Sequence, residues 1–129
     1  MKKMNKKGFT IVELVIVIAV IAVLAAVLIP TFGGMIDRAN ASNALNTAKN
    51  VHTSILYSLD ADEIDDFDAC IVVVDGEDTY YVIATENGIQ GKADTTVPTG
   101  FDIEGDDATY VAKSGIKDLP AGVTVYFKK

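Results

Sequence analysis

The chain has 129 residues, half of them hydrophobic, and carries a net charge of −7 at neutral pH. That length holds one small domain, and a long apolar run takes up part of it, so the water-soluble remainder can bury only a modest core. Lys2, Lys3, Lys6 and Lys7 precede any acid, whereas the residues after position 8 hold seven basic and eighteen acidic side chains, a balance of −11. Phosphates are repelled by such a remainder, which argues against direct nucleic-acid binding or nonspecific binding to anionic lipid by that part. The single cysteine, Cys70, excludes an intramolecular disulfide and so the disulfide-stapled class of small secreted domains. Within Ala69-Cys70-Ile71-Val72 it is expected to be a small buried hydrophobe.

From Ile11 to Ile29 there are 19 residues with Glu13 as the sole charge, and Leu14 to Ile29 is apolar throughout. As a helix this run would span about 28 Å, close to the hydrocarbon thickness of a bilayer. Its many Val and Ile residues suit strands, but it is far too long for one. The lysines ahead of it mark a cytoplasmic flank. A secretory signal peptide shares the basic start and apolar core. Against that reading, the apolar core is longer than usual and no small-x-small site precedes a polar stretch. The helical pattern also continues past it. A carboxylate in a membrane helix costs about 2.5–3.5 kcal/mol, so Glu13 either snorkels to the interface or has a pairing function.

Lys6-Lys7-Gly8-Phe9-Thr10-Ile11-Val12-Glu13-Leu14, joined to the long apolar run, resembles the cleavage signal of type IV prepilins and pseudopilins. The resemblance covers residues 6 to roughly 58. It implies cutting between Gly8 and Phe9 by a prepilin peptidase, N-methylation of Phe9, and a role in assembly for Glu13, paired with the Phe9 amine of a neighbouring copy. Pro30 lies where the family has a helix-kinking proline. A helix kink is expected at Pro30, and together with Gly33 and Gly34 it is expected to make residues 30–34 a flexible or locally unwound section.

Beyond Met35 the helical pattern resumes, with Leu45, Ala48, His52, Ile55, Leu56 and Leu59 forming one apolar face. The lone histidine, His52, lies on or beside that face and is expected to be a packed or edge residue, with no cysteine or histidine cluster to join it in a zinc site. Asp60 to Asp68 reads as a solvated acidic connector supplying one or two helix caps, without the spacing of a calcium-binding EF-hand loop. Ala69–Val74 and Thr79–Thr85, separated by Asp75-Gly76-Glu77-Asp78, suggest an antiparallel hairpin. Asn87-Gly88 marks the next turn, Lys92 to Gly100 reads as loop, and Ala108 to Ala112 as a weaker strand. Val123, Val125 and Phe127 alternate with Thr124, Tyr126 and Lys128, as in a half-buried strand.

The expected architecture is therefore α+β. A leader spans residues 1–8, and a long helix covers 9–59 with its membrane part at about 11–29. Residues 60–129 form a head of three to five antiparallel strands packed on that helix. Major pseudopilins can carry calcium in a head loop, and Asp102, Glu104, Asp106 and Asp107 are candidate oxygens for it. An exposed acidic loop is the simpler reading. No glycine-rich phosphate loop or nucleophile–base pair points to an enzyme. The resemblance implies a filament subunit whose partners are its own copies, minor pilins, the prepilin peptidase, the assembly machinery and, before assembly, membrane lipid. It leaves pili, type II secretion and DNA uptake open. The other reading is a single-pass membrane-anchored binding protein that keeps its leader.

Overall fold

A computed structural model describes residues 8–129; Lys2, Lys3, Lys6 and Lys7, and with them most of the expected leader, lie outside the described residues. In chain order the elements are α1 (Ile11–Ser58), α2 (Ala61–Ile64), β1 (Asp68–Asp75), β2 (Asp78–Thr85), β3 (Gly88–Asp94), β4 (Tyr110–Ala112) and β5 (Val123–Lys128). The chain divides into two compact units, one ending at Asp37 and one running from Arg38 to Lys129.

In the first unit the large apolar side chains from Ile11 to Ile36 are exposed among the described residues. The helix α1 runs through Pro30, Gly33 and Gly34, the positions where a kink and a flexible or locally unwound section are expected. Proline removes a single donor, the one that would reach the Ala26 carbonyl, and leaves those of its neighbours in place. Beside the gap, the Thr31 hydroxyl donates to the Val27 carbonyl at 3.0 Å. The intrinsic cost of two glycines, about 1 kcal/mol each, weakens the helix there without ending it.

In the second unit the later part of α1 buries Ala44, Ala48, Val51 and Ile55, a stripe at three- and four-residue steps that Leu59 extends. The stripe is rotated from the expected one: Ala44 and Val51 lie at its centre, while Leu45 and Leu56 are partly buried flanks. Small side chains at the centre let the helix backbone approach the sheet closely, and the larger leucines fill the widening edges. Complete burial of Val51, Ile55, Ile71 and Val82 stabilises this unit by about 1.5–3 kcal/mol per side chain.

The sheet has five strands in the order β3-β2-β1-β5-β4, every neighbouring pair antiparallel. Register sets its two faces. Ala69, Ile71 and Val73 of β1 stand opposite Ala84, Val82 and Tyr80 of β2, and Val125 lies opposite Ile71; together they form the face that joins the helix stripe in one core. Cys70, Val72, Tyr81, Ile83 and Tyr126 fall on the other face. The segment between β3 and β4 contacts that second face through Phe101, whose ring lies 5.7 Å from Tyr81, 5.2 Å from Tyr110 and 5.6 Å from Tyr126. Cys70 is fully buried, and burial pushes its thiol pKa up to about 11.

Two glycines have positions that no other residue fills easily. Asp75 and Asp78 pair across a two-residue turn whose first residue, Gly76, has φ +64°, suiting the handedness of a tight hairpin. Gly122 has φ +79°, and a Cβ there would sit 2.8 Å from the Val74 carbonyl oxygen. Its own carbonyl accepts the Val74 N–H at 2.9 Å, so the approach is itself a hydrogen-bonded contact.

Three boundaries differ from those expected. Lys92, Ala93 and Asp94 belong to β3, not to a loop, because pairing with β2 holds an edge strand whose own propensity is weak. The later strand starts at Tyr110, after Ala108 and Thr109 have closed the preceding loop. The acidic connector contains a single helical turn, α2, in which Glu63 both accepts the Asp60 N–H at 3.4 Å and pairs with Lys113 at 2.7 Å.

Candidate processing and assembly site

Gly8, Phe9 and Thr10 are exposed and non-helical, and α1 begins at Ile11. The expected scissile peptide, Gly8–Phe9, therefore lies in open chain ahead of the helix. A helix start leaves its first backbone N–H groups without intrahelical partners. Here Thr10 and Glu13 satisfy two of them reciprocally: the Thr10 N–H donates to Glu13 Oε2 at 3.0 Å, and the Glu13 N–H donates to Thr10 Oγ1 at 3.2 Å. This is a capping box, and its Thr-x-x-Glu signature is legible in Thr10-Ile11-Val12-Glu13. The sequence reading sought a partner for Glu13 only on a neighbouring copy and so passed over Thr10.

Glu13 is thus held at the first turn of a helix whose following side chains, Leu14 to Ile29, are apolar without exception. That helix is long and apolar enough to cross a membrane by length and composition. The arrangement offers one carboxylate at a fixed level on an otherwise greasy rod. A cationic group from another molecule could meet it there in a dry setting, where a charge-assisted hydrogen bond is stronger than a neutral one. Pro30, Gly33 and Gly34 lie further along the same rod, with open space where a Cβ on either glycine would stand.

The head supplies no comparable constellation. Asp102, Glu104, Asp106 and Asp107 share one loop, but among the described residues no group of three or more His, Cys, Asp or Glu side chains is placed to hold a metal ion. Asp102 Oδ1 instead accepts the Glu104 N–H at 3.1 Å, and Thr109 Oγ1 donates to the Gly100 carbonyl at 2.7 Å, so these contacts organise the loop itself. His52 packs at the helix–sheet edge, with Nε2 2.8 Å from the Thr85 carbonyl and its ring 6.0 Å from Phe67. The Lys113 hydrogen bond, aided by that from the Asp60 N–H, holds the Glu63 carboxyl below the usual carboxylate range.

Comparison with known proteins bears on the N-terminal signal and on the chain as a whole. The family model described as the prokaryotic N-terminal methylation motif matches residues 3–29. A type IV major fimbrial protein of Dichelobacter nodosus is 35% identical over 107 residues, which cover 79% of this chain and 67% of that protein. A fimbrial protein of Moraxella nonliquefaciens is 48% identical over 50 residues, or 39% of this chain and 32% of its own length. The major component of the wide type IV pilus of Thermus thermophilus is 64% identical over 36 residues, 28% of each chain. The match thus spans from 28% to 67% of the length of these relatives. No solved structure matches the chain. A methylation signal at the start, a relative aligned across most of the chain, and a long helix backed by an antiparallel sheet agree on one assignment: the chain belongs to the type IV pilin family, whose members are structural subunits, not enzymes.

Proposed function

We propose that this chain is a structural subunit of a type IV pilus or related pseudopilus, inserted in the cytoplasmic membrane as a precursor and assembled through its apolar helix. The observation that carries the reading is Glu13, an acid held at the start of a helix whose next 16 residues are all apolar. A lone carboxylate there is costly in lipid and becomes favourable when a cation meets it. Cleavage between Gly8 and Phe9 supplies that cation. Hydrolysis leaves a carboxylate on Gly8 and a free amine on Phe9, and methylation of the amine by a methyl donor keeps it basic. The Phe9 ammonium of one subunit then pairs with Glu13 of the next.

Cutting also removes Lys2, Lys3, Lys6 and Lys7, whose charge sets the cytoplasmic side before processing. Pro30, Gly33 and Gly34 supply the weakest stretch of the helix, where it yields as subunits pack. Further partners are the prepilin peptidase, minor pilins and the assembly machinery. After assembly the head lies outside the cell on the filament.

The test is the mature N-terminus, read by mass spectrometry from cells with and without prepilin peptidase. A chain starting at methylated Phe9 only when the peptidase is present is the expected result. An intact leader in both strains would overturn it in favour of a membrane-anchored protein that never assembles.

A further inference from the structure

The turn between β2 and β3 consists of Glu86 and Asn87, with Thr85 and Gly88 paired across it. Among the described residues, Asn40, Asn43, Asn46 and Asn50 all lie in α1, where the backbone nitrogen that follows each is held in the helix ladder. Asn87 stands apart from them. It is exposed, it lies in a turn, and the residue after it is a glycine with no side chain to shield its nitrogen. Gly88 has φ +120°, and open space lies where a Cβ would stand. The strand it begins, β3, is at the edge of the sheet, and its pairing with β2 shifts register between Tyr81 and Ile83. Such a turn opens locally at low cost, which lets the Asn87 side chain and the Gly88 nitrogen meet.

We propose that Asn87-Gly88 is a site of spontaneous deamidation, a covalent modification that puts a carboxylate into the β2–β3 turn. Water is the sole co-reactant. The Gly88 nitrogen bonds to the Asn87 side-chain carbonyl carbon as its proton passes to solvent. The bond from that carbon to Nδ2 breaks, and the nitrogen takes up a proton and leaves as ammonia. Water then opens the five-membered imide. Opening at the side-chain carbonyl leaves aspartate; opening at the main-chain carbonyl leaves isoaspartate, whose backbone is longer by one methylene. Asn87 Nδ2 donates to Glu86 Oε1, an exposed contact between neighbours that water readily replaces, so it delays the step without blocking it. The first hairpin differs, because Asp75 before Gly76 is already a carboxylate and has no ammonia to lose. Either product at position 87 sets a second negative charge beside Glu86. Isoaspartate also upsets the spacing of the Thr85–Gly88 and Ala84–Ile89 pairs and so loosens β3.

The experiment incubates the full-length chain in detergent micelles at neutral and mildly alkaline pH in heavy-oxygen water. Its peptides are mapped by mass spectrometry with electron-transfer fragmentation, and a synthetic peptide of residues 81–94 gives the rate without the fold. The expected result is one heavy oxygen gained at residue 87, faster at the higher pH, at no less than about a hundredth of the peptide's rate. Isoaspartate should exceed aspartate, and the asparagines of α1 should react at least tenfold more slowly. N87Q, which would have to form a six-membered ring, should stay unmodified. The β3 amides of the isoaspartyl product should exchange severalfold faster than those of N87Q. Cys70 should stay protected from thiol reagents throughout, as it does only while the head is folded. A slower rate at Asn87, aspartate formed without isoaspartate, equal reaction at the α1 asparagines, or unchanged exchange in β3 would each overturn the proposal.

Discussion

One helix serves two different solvents. In the first unit α1 exposes every large apolar residue from Ile11 to Ile36, whereas in the second the same helix buries Ala44, Ala48, Val51 and Ile55 against its own sheet. The second half is satisfied within the chain, and the first leaves its apolar surface open to lipid or to other molecules among the described residues. Burial depends on the environment the chain encounters as well as on residue type, and a continuous helix can belong to a fold at one end and to an assembly at the other.

The largest expected effect tests that division with one chemical change made twice. Ile55→Ala, at a fully buried position, should destabilise the head by about 2–5 kcal/mol, enough to unfold a small domain in a thermal melt. Ile18→Ala, on the exposed stretch, should leave the melt of the head unchanged and lower filament yield instead. A head melt equally sensitive to both would break the comparison.

Next in size is Gly122→Ala, which places a Cβ against the Val74 carbonyl at a backbone angle unfavourable to alanine. A loss of about 1–3 kcal/mol is expected, read as a lower melting temperature. Phe101→Ala should cost about 1–2 kcal/mol through its three ring contacts. It should also speed the reaction of Cys70 with a maleimide, because the second face of the sheet loses a cover.

The smallest effect is electrostatic. The Glu63 carboxyl is held low by Lys113, so the pair stabilises the head above the ordinary glutamate pKa, and that contribution fades as pH falls through the lowered value. Lys113→Met should flatten the acid side of the stability–pH curve without altering its alkaline side. The alkaline side answers to Cys70: its raised pKa favours the neutral thiol in the folded state, so stability is complete below about pH 9 and declines toward about 11.

What the sequence revealed followed where the physics is local. The β-branched runs of β1 and β2, with Gly76 between them, identify a hairpin by themselves, and the alternation in Val123 to Phe127 identifies a strand. The strand β3 was illegible because Gly91 and Lys92 carry no strand signal, and its order comes from β2 beside it. One helix through Pro30 to Gly34 follows from the helical pattern on both sides, which outweighs the penalty of each residue. At the candidate site the roles expected of Gly8, Phe9 and Glu13 came from one contiguous signal. Thr10 lay inside that signal and was overlooked, although the capping-box pattern was in plain view.

The strand order carries a last consequence, for timing. The strand β5 lies between β1 and β4, although it is the last of the five along the chain. A head made in chain order therefore cannot close as it grows. Until Val123 to Lys128 has been made, one edge of β1 stays bare and β4 has no partner among the described strands. Closure of the five-stranded sheet therefore waits on Val123 to Lys128, and a head that lacks them is left with unpaired strand edges.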